Sequence, residues 1–354
     1  MVLYSLIPLF ILLLAAFDNV YKGHRRACIF QVCALFFLVA GFRGTVGVDT
    51  YNYANIFRSY LSGEYGISSG SFEPFFIFLF WVVSRLTENP FGFFVVVAML
   101  QSFLVFYISS RLRSPFFFLL FYSIVFYLQF HTNIIRAGTA SLLFLAAMVA
   151  SNRQGSLFFL FFSTFTHLSV LALIPVIIYK LKIKVVHSIF LAFLIFLPVM
   201  VFFGDYVFTK IANYLVFNNE SVGMGGAGNL LFLVPPFVLI VFMLVFKVKS
   251  RELWISTFLT LIFAFGRNYF DIFYRLHMLG ILCVLIILSR DYRLFSWPNI
   301  RLVAGYVFLF LIASLLSVYS VVNEKRLLVD RHGEEHASNK YTWIPYETYF
   351  NDSY

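Results

Sequence analysis

The sequence predicts an all-α, polytopic membrane helix bundle, and three observations support that prediction. Of the 354 residues, 61% are hydrophobic and only 12% are charged, whereas a soluble domain carries about 45–50% apolar and about 25% charged residues. The apolar residues occur in runs close to the roughly 20 residues that cross a bilayer as a helix. Runs such as LLFLVPPFVLIVFMLVF at 230–246 do not alternate apolar with polar residues, which excludes a transmembrane barrel.

Taken in order, the apolar runs predict about 11–12 spans inside a transmembrane bundle of residues 1–320. Two longer polar segments, 43–72 and 204–229, lie between spans, and a polar C-terminal tail occupies 321–354. The candidate spans are about 2–17, 27–42, 74–87, 91–110, 115–130, 134–150, 156–179, 187–203, 230–246, 253–266, 273–289 and 301–320.

The net charge of +10 is interpreted as an orientation signal, not as a nucleic-acid surface. Short basic clusters stand between spans: YKGHRR at 21–26, KLKIK at 180–184, KVKSR at 247–251 and SRDYR at 289–293. The positive-inside rule places such clusters in the cytoplasm. Both longer polar segments and the tail then face the opposite side, and no nucleic-acid partner is expected.

Two ways of counting spans satisfy these clusters. A plain count places RLR (111–113) outside and Arg136 inside. In the second count, re-entrant or interfacial segments lie within 72–110, broken near TENP (87–90), and within 156–179, which enters and leaves on one side. We prefer the second count because it fits the basic clusters better, and it places Arg136 and His167 at the outer face.

Three arginines are candidate ligands for an anion. Arg43 heads the glycine-bearing stretch GFRGTVGVDTYNY (41–53), and Arg136 stands where a new helix begins, a position that favours anions. Arg275 lies at the edge of an apolar span, one helical turn after Asp271. An ion pair between Asp271 and Arg275 is an equal explanation there, just as Asp49 is either a base or a partner for Arg43.

His167 is the clearest ionisable group within an apolar run, FFSTFTHLSVLALIP. Such residues are functional candidates, and a neutral imidazole could accept a proton; a structural hydrogen bond from Ser163 or Thr164 is the alternative. The sequence holds no HExxH, and its acidic residues are sparse. We therefore predict a site without metal or cofactor, built from arginines and a histidine for a substrate that carries negative charge.

Three segments of the sequence carry recognisable motifs. The first and most specific is FRGTVGVDTYNYANIFRSY, with the signature residues Arg43, Gly47, Asp49, Tyr53 and Phe57. Two later segments are NIIRAGTASLLFLAAMVA and FFSTFTHLSVLALIP, the latter with an F-x-H-x-S element. Together they resemble the EpsG-like proteins among the Wzy-type oligosaccharide repeat-unit polymerases, although Ala137 stands where that family leads us to expect a glutamine.

The resemblance implies a metal-independent enzyme of the bacterial cytoplasmic (inner) membrane with its active site facing the periplasm. It would join undecaprenyl-diphosphate-linked oligosaccharides, as donor and acceptor, into O-antigen, capsule or exopolysaccharide, in some pathways with a Wzz-like chain-length regulator. The residues expected to act are Arg43, Arg136 and Arg275 on the diphosphate, His167 or Asp49 on the acceptor hydroxyl as base or orienting group, and Tyr51 and Tyr53 on sugars.

Two other functions fit the same residues. An O-antigen ligase would use the same donor and similar arginines, and the first motif favours the polymerase over it. A transporter or flippase of lipid-linked oligosaccharide would be expected to carry inverted repeats or paired broken helices, and the sequence shows no internal repeat.

Overall fold

A computed structural model shows an all-α membrane bundle with one short β-hairpin in the C-terminal tail. The chain divides into two compact units, one formed by 1–66, 78–139 and 311–354 and the other by 67–77 and 140–310. The structure describes residues 2–21, 23–43, 50–63, 73–181, 233–245, 249–266, 271–290, 328–329 and 335–336.

The first unit is built around a central helix, Pro90–Ser109, on which other helices pack. The helices of this part of the chain are α1 (Val2–Val20), α2 (Arg25–Gly41), α3 (Thr50–Leu61), α4 (Pro74–Ser84), α5 (Pro90–Ser109), α6 (Pro115–Val125), a π-helical turn (Gln129–Asn133) and α7 (Ile135–Val149), with the division between units falling within α4 and α7. In this unit α2 packs on α1 and α5, α3 packs on α5, and α6 packs on α1 and α5.

Helix α5 has a clear local cause for its start. The side chain of Asn89 accepts a hydrogen bond from the Phe91 amide, and Pro90 occupies the first turn, where its missing N–H costs nothing. Its 20 residues extend about 30 Å. Among the described residues, α5 alone is long and apolar enough to cross a membrane by length and composition. Shorter apolar helices accompany it: 6–20, 74–84, 115–125, 135–149, 168–180 and 276–290.

The second unit contains a helical hairpin and a packed group of three helices. Its elements are α8 (Arg153–Thr166), a 3-10 helix (Leu168–Leu173), α9 (Ile174–Lys180), α10 (Val234–Val245), α11 (Arg251–Gly266) and α12 (Asp271–Arg290). Helix α8 packs on the 3-10 helix, α9 packs on α11, and α11 packs on both α10 and α12.

The chain reverses at His167, as the second way of counting predicted. His167 has extended backbone angles between α8 and the 3-10 helix. After α9 the chain is back beside the start of α8, because the ammonium of Lys180 donates to Ser156 Oγ at 2.9 Å. The same ammonium donates to the carbonyls of Ala147 at 2.6 Å and Ala150 at 2.9 Å, at the end of α7. Lys180 therefore closes the base of the α8–α9 hairpin.

Helices α11 and α12 approach closely at small residues. A Cβ placed on Gly280 would lie 2.5 Å from Thr260 Oγ1 and 3.2 Å from Thr260 Cα. Small residues that let backbones approach are the usual contact between membrane helices, where van der Waals packing replaces the hydrophobic drive.

The structure adds detail to three predicted segments: the first polar segment, the break near 87–90 and the C-terminal tail. The segment 43–72, expected to be a polar connection, contains the helix α3. The break predicted near 87–90 is present, because α4 ends at Ser84 and α5 begins at Pro90. In the tail, Leu328–Val329 pairs antiparallel with Glu335–His336. The segment 204–229 and the spans 187–203 and 301–320 lie outside the described residues.

Candidate functional site

Arg43 is a buried residue of the first unit, just after the end of α2. Its side chain is 1% exposed, and one Nη donates to the backbone carbonyl of His131 in the π-helical turn. The other Nη donates to Thr50 Oγ1 at 3.4 Å. The guanidinium also lies 4.6 Å from the centre of the Phe94 ring, within the range of a cation–π contact. The motif arginine thus ties α2, α3, α5 and the π-helical turn together.

Arg136 lies in the first turn of α7, where the sequence predicted a helix start. It is half-buried, and its Nε donates to the hydroxyl of Tyr53 at 3.1 Å. Its guanidinium carbon also lies 5.9 Å from the centre of the Tyr53 ring. Arg136 is therefore the more accessible of the two arginines, at a helix end whose amides favour negative charge.

The first turn of α3 holds both arginines. Thr50 contacts Arg43 and Tyr53 contacts Arg136, and these two residues are three positions apart, on one face of the helix. Tyr53 is 5% exposed, so its ring offers little surface for a sugar. Its observed contacts hold Arg136 and pack on α5, and a contact with a sugar stays a prediction.

The spacing of the first motif has a packing explanation. One turn after Tyr53, the fully buried Phe57 lies 6.2 Å from Phe93 and 5.8 Å from Phe80, measured between ring centres. The Tyr53 ring stacks on the same Phe93 at 6.4 Å. The two aromatic residues of the motif therefore fix α3 against α5, and this fixes the turn that carries Thr50 and Tyr53.

The π-helical turn that accepts the bond from Arg43 is itself held by buried polar groups. Tyr127 donates to the carbonyl of Phe36 on α2 at 2.8 Å, and His131 Nε2 lies 3.0 Å from the Tyr122 hydroxyl.

His131 lies between the predicted spans 115–130 and 134–150. Burial, followed by the charge of Arg43, lowers its pKa well below the usual value, so its imidazole is neutral. Nothing in the sequence near Arg43 indicates that the backbone carbonyl of His131, 88 residues later, accepts its hydrogen bond.

His167 belongs to the second unit and forms the cap of the 3-10 helix. Its Nδ1 accepts a hydrogen bond from the backbone amide of Ser169 at 3.3 Å, which gives the histidine of the motif a structural role. The predicted alternative, a bond from Ser163 or Thr164, does not occur: these hydroxyls donate to the carbonyls of Ala140 and Leu160. Because Nδ1 accepts, the proton of the neutral ring lies on Nε2, which makes Nε2 a donor.

The structure describes less of the remaining predicted site residues. Asp49 and Gly47 lie outside the described residues. Tyr51 lies in α3, and Asp271 and Arg275 lie in α12, but their side chains are outside what the structure describes. The described residues thus bring Arg43, Arg136 and Tyr53 together, and place His167 in the other unit.

Comparison with known proteins agrees with the two arginine-bearing motifs. A model of the EpsG family matches residues 26–348, nearly the whole chain. The chain belongs to the EpsG family. Comparison with curated proteins and with solved structures gives no match. Membership in the EpsG family, which is a Wzy-like polymerase family, together with the apolar helices, assigns a membrane protein with a role in polysaccharide synthesis.

Proposed function

We propose that this EpsG family member polymerises undecaprenyl-diphosphate-linked oligosaccharide repeat units at the outer leaflet of the bacterial cytoplasmic membrane, without a metal ion. The observation that carries the proposal is the meeting of two motifs. Arg43 of the first motif and Arg136 of the second both bind the first turn of α3. A cationic site formed this way suits a reaction whose leaving group is a diphosphate.

In the proposed reaction an acceptor hydroxyl attacks the anomeric carbon of the donor glycan. A C–O bond forms to the acceptor, the bond between the anomeric carbon and the diphosphate oxygen breaks, and the lipid diphosphate leaves with the bonding electrons. Negative charge develops on the diphosphate oxygens in the transition state, where fixed cations stabilise it most. Arginine suits this task because its planar fork binds two oxygens at once.

We assign the arginines roles that differ from those of the sequence prediction. We assign direct contact with the diphosphate to the half-buried Arg136, with Arg275 as its predicted companion. Both Nη groups of Arg43 are hydrogen-bonded within the protein, to His131 and Thr50. We therefore assign Arg43 to ordering the first turn of α3 and to adding positive charge to the site without contacting the diphosphate.

The proton of the acceptor hydroxyl needs a base. We propose that His167 orients the acceptor hydroxyl, which is one of the two roles that the sequence predicted for it. The carboxylate of Asp49 then takes the hydroxyl proton, and Tyr51 keeps its predicted contact with a sugar.

The test is glycan laddering in a polymerase-null host that makes the matching repeat unit, with membrane levels of each variant equalised. We expect wild type to restore ladders and Arg136→Ala and Arg136→Lys to leave single repeat units, with turnover at least about 100-fold lower, the usual cost of removing a transition-state donor. Lysine keeps the charge but loses the fork. Arg58→Lys, at an exposed position of the same helix α3, is the matched control.

Two results would contradict the proposal. Normal ladders from Arg136→Lys would rule out a bidentate contact at this residue. Transfer of one glycan onto lipid A core by wild type, with no laddering, would identify a ligase instead of a polymerase.

A further inference from the structure

A buried amide lies in the middle of the span-length helix α5. Gln101 is fully buried in the run FGFFVVVAMLQSFLVFYISS. Its Nε2 donates to the carbonyls of Phe130 at 3.0 Å and Ile135 at 3.2 Å, and lies 3.0 Å from Thr139 Oγ1. One side chain therefore holds both ends of the connection between the π-helical turn and α7.

The segment that Gln101 holds positions both arginines of the first unit. Between Phe130 and Ile135 lies His131, whose carbonyl accepts the bond from Arg43. The residue after Ile135 is Arg136, whose Nε binds Tyr53. A shift of this segment would therefore move the anchor of one arginine and the backbone of the other.

Stability alone does not account for an amide at this place. Among the described residues Gln101 Oε1 has no hydrogen-bond partner, and an unsatisfied buried acceptor is costly in an apolar environment. An apolar side chain would avoid that cost but would leave the Phe130 carbonyl without this donor. The residue type is explained by what its Nε2 holds in place.

We propose that Gln101 is a positioning residue that sets the placement of Arg136 and of the carbonyl that anchors Arg43, and through them the selectivity of the site for a diphosphate. The inference rests on the proposed function. It adds a residue that makes no contact with substrate and acts through the connection 130–135.

The test compares the affinities of the full-length protein in detergent for farnesyl diphosphate and for farnesol, which share the isoprenoid chain and differ in the diphosphate. The variants are Gln101→Met, of similar size without a donor, and Ser102→Ala as a matched control. Ser102 is the next residue of α5, is buried, and its hydroxyl makes no hydrogen bond with the described residues.

We expect Gln101→Met to bind farnesyl diphosphate at least tenfold more weakly, with unchanged affinity for farnesol. Thr139→Val, which removes one acceptor of Gln101, should change selectivity in the same direction by a smaller factor. This variant keeps the test decisive if Gln101→Met does not accumulate.

Three failures are distinguishable. If wild type itself binds both compounds equally, the diphosphate site of the proposed function is refuted, and this inference with it. If wild type prefers the diphosphate and Gln101→Met and Thr139→Val prefer it equally, only the positioning role is refuted. A parallel loss of both ligands would show that Gln101 serves general packing and would also overturn the inference.

Discussion

Gly138, in the first turn of α7, offers the sharpest test of how this site is built. A Cβ added there would lie 2.6 Å from both the Cβ and the carbonyl oxygen of Phe130, and 2.8 Å from its Cα. Carbon atoms in contact prefer about 3.5–4.0 Å, so the π-helical turn would have to move by roughly 1 Å. The obstacle is backbone, which cannot rotate aside as a side chain does.

The sign of the effect separates this explanation from helix propensity. Alanine is favoured over glycine within helices by up to about 1 kcal/mol, so propensity alone predicts that Gly138→Ala stabilises the protein. Overpacking costs about 1–3 kcal/mol, and a clash with backbone belongs to the upper part of that range, so we expect a net destabilisation of up to about 2 kcal/mol. The same shift displaces Arg136 and the anchor of Arg43, and misplacement by about 1 Å can cost 100-fold in rate.

The assay is thermal unfolding in detergent together with laddering at matched membrane levels. Gly41→Ala is the control, because its added Cβ would meet only the Phe37 ring at 3.4 Å and Ala98 at 3.7 Å. We expect Gly41→Ala to keep both stability and ladders. A Gly138→Ala protein as stable and as active as Gly41→Ala would refute the close approach of Phe130.

Two further predictions concern single side chains. Tyr53→Phe keeps the ring on Phe93 but removes the hydroxyl that accepts from Arg136; we expect ladders to shorten or disappear, whereas a tyrosine that only stacks on sugar would tolerate phenylalanine. Lys180→Met removes three hydrogen bonds at the base of the α8–α9 hairpin and should destabilise by about 1–3 kcal/mol in thermal unfolding. The same change at the exposed Lys249 should have almost no effect, and equal effects at the two lysines would contradict the closed hairpin.

Local signals were sufficient for several elements. Asn89 followed by Pro90 marks the start of α5, because capping and proline chemistry act over a few residues. The predicted start of a helix at Arg136 also agrees with the start of α7. The polar His167 within an apolar run marked the reversal of the chain. A turn needs such local interruptions, and they are visible in sequence.

The sequence also carries a signal at Gln101 that the predicted site did not include. Gln101 is the one amide in the α5 run, and polar residues in apolar runs, such as His167, are functional candidates. Gly138 was also visible, two residues after Arg136, but nothing local shows that the backbone of Phe130 would lie against it.

The sequence by itself determined the membrane bundle, the family motifs and which arginines are candidates for the proposed site. It did not determine which arginine is buried. Arg43 and its acceptor on His131 are 88 residues apart, and Arg136 and Tyr53 are 83 apart. Nearly every face of a helix in lipid is apolar, so periodicity does not show which faces meet. Only the tertiary structure decided that Arg43 is enclosed between α2, α3 and the π-helical turn while Arg136 stays partly accessible, because packing of distant helices sets the burial of each charge.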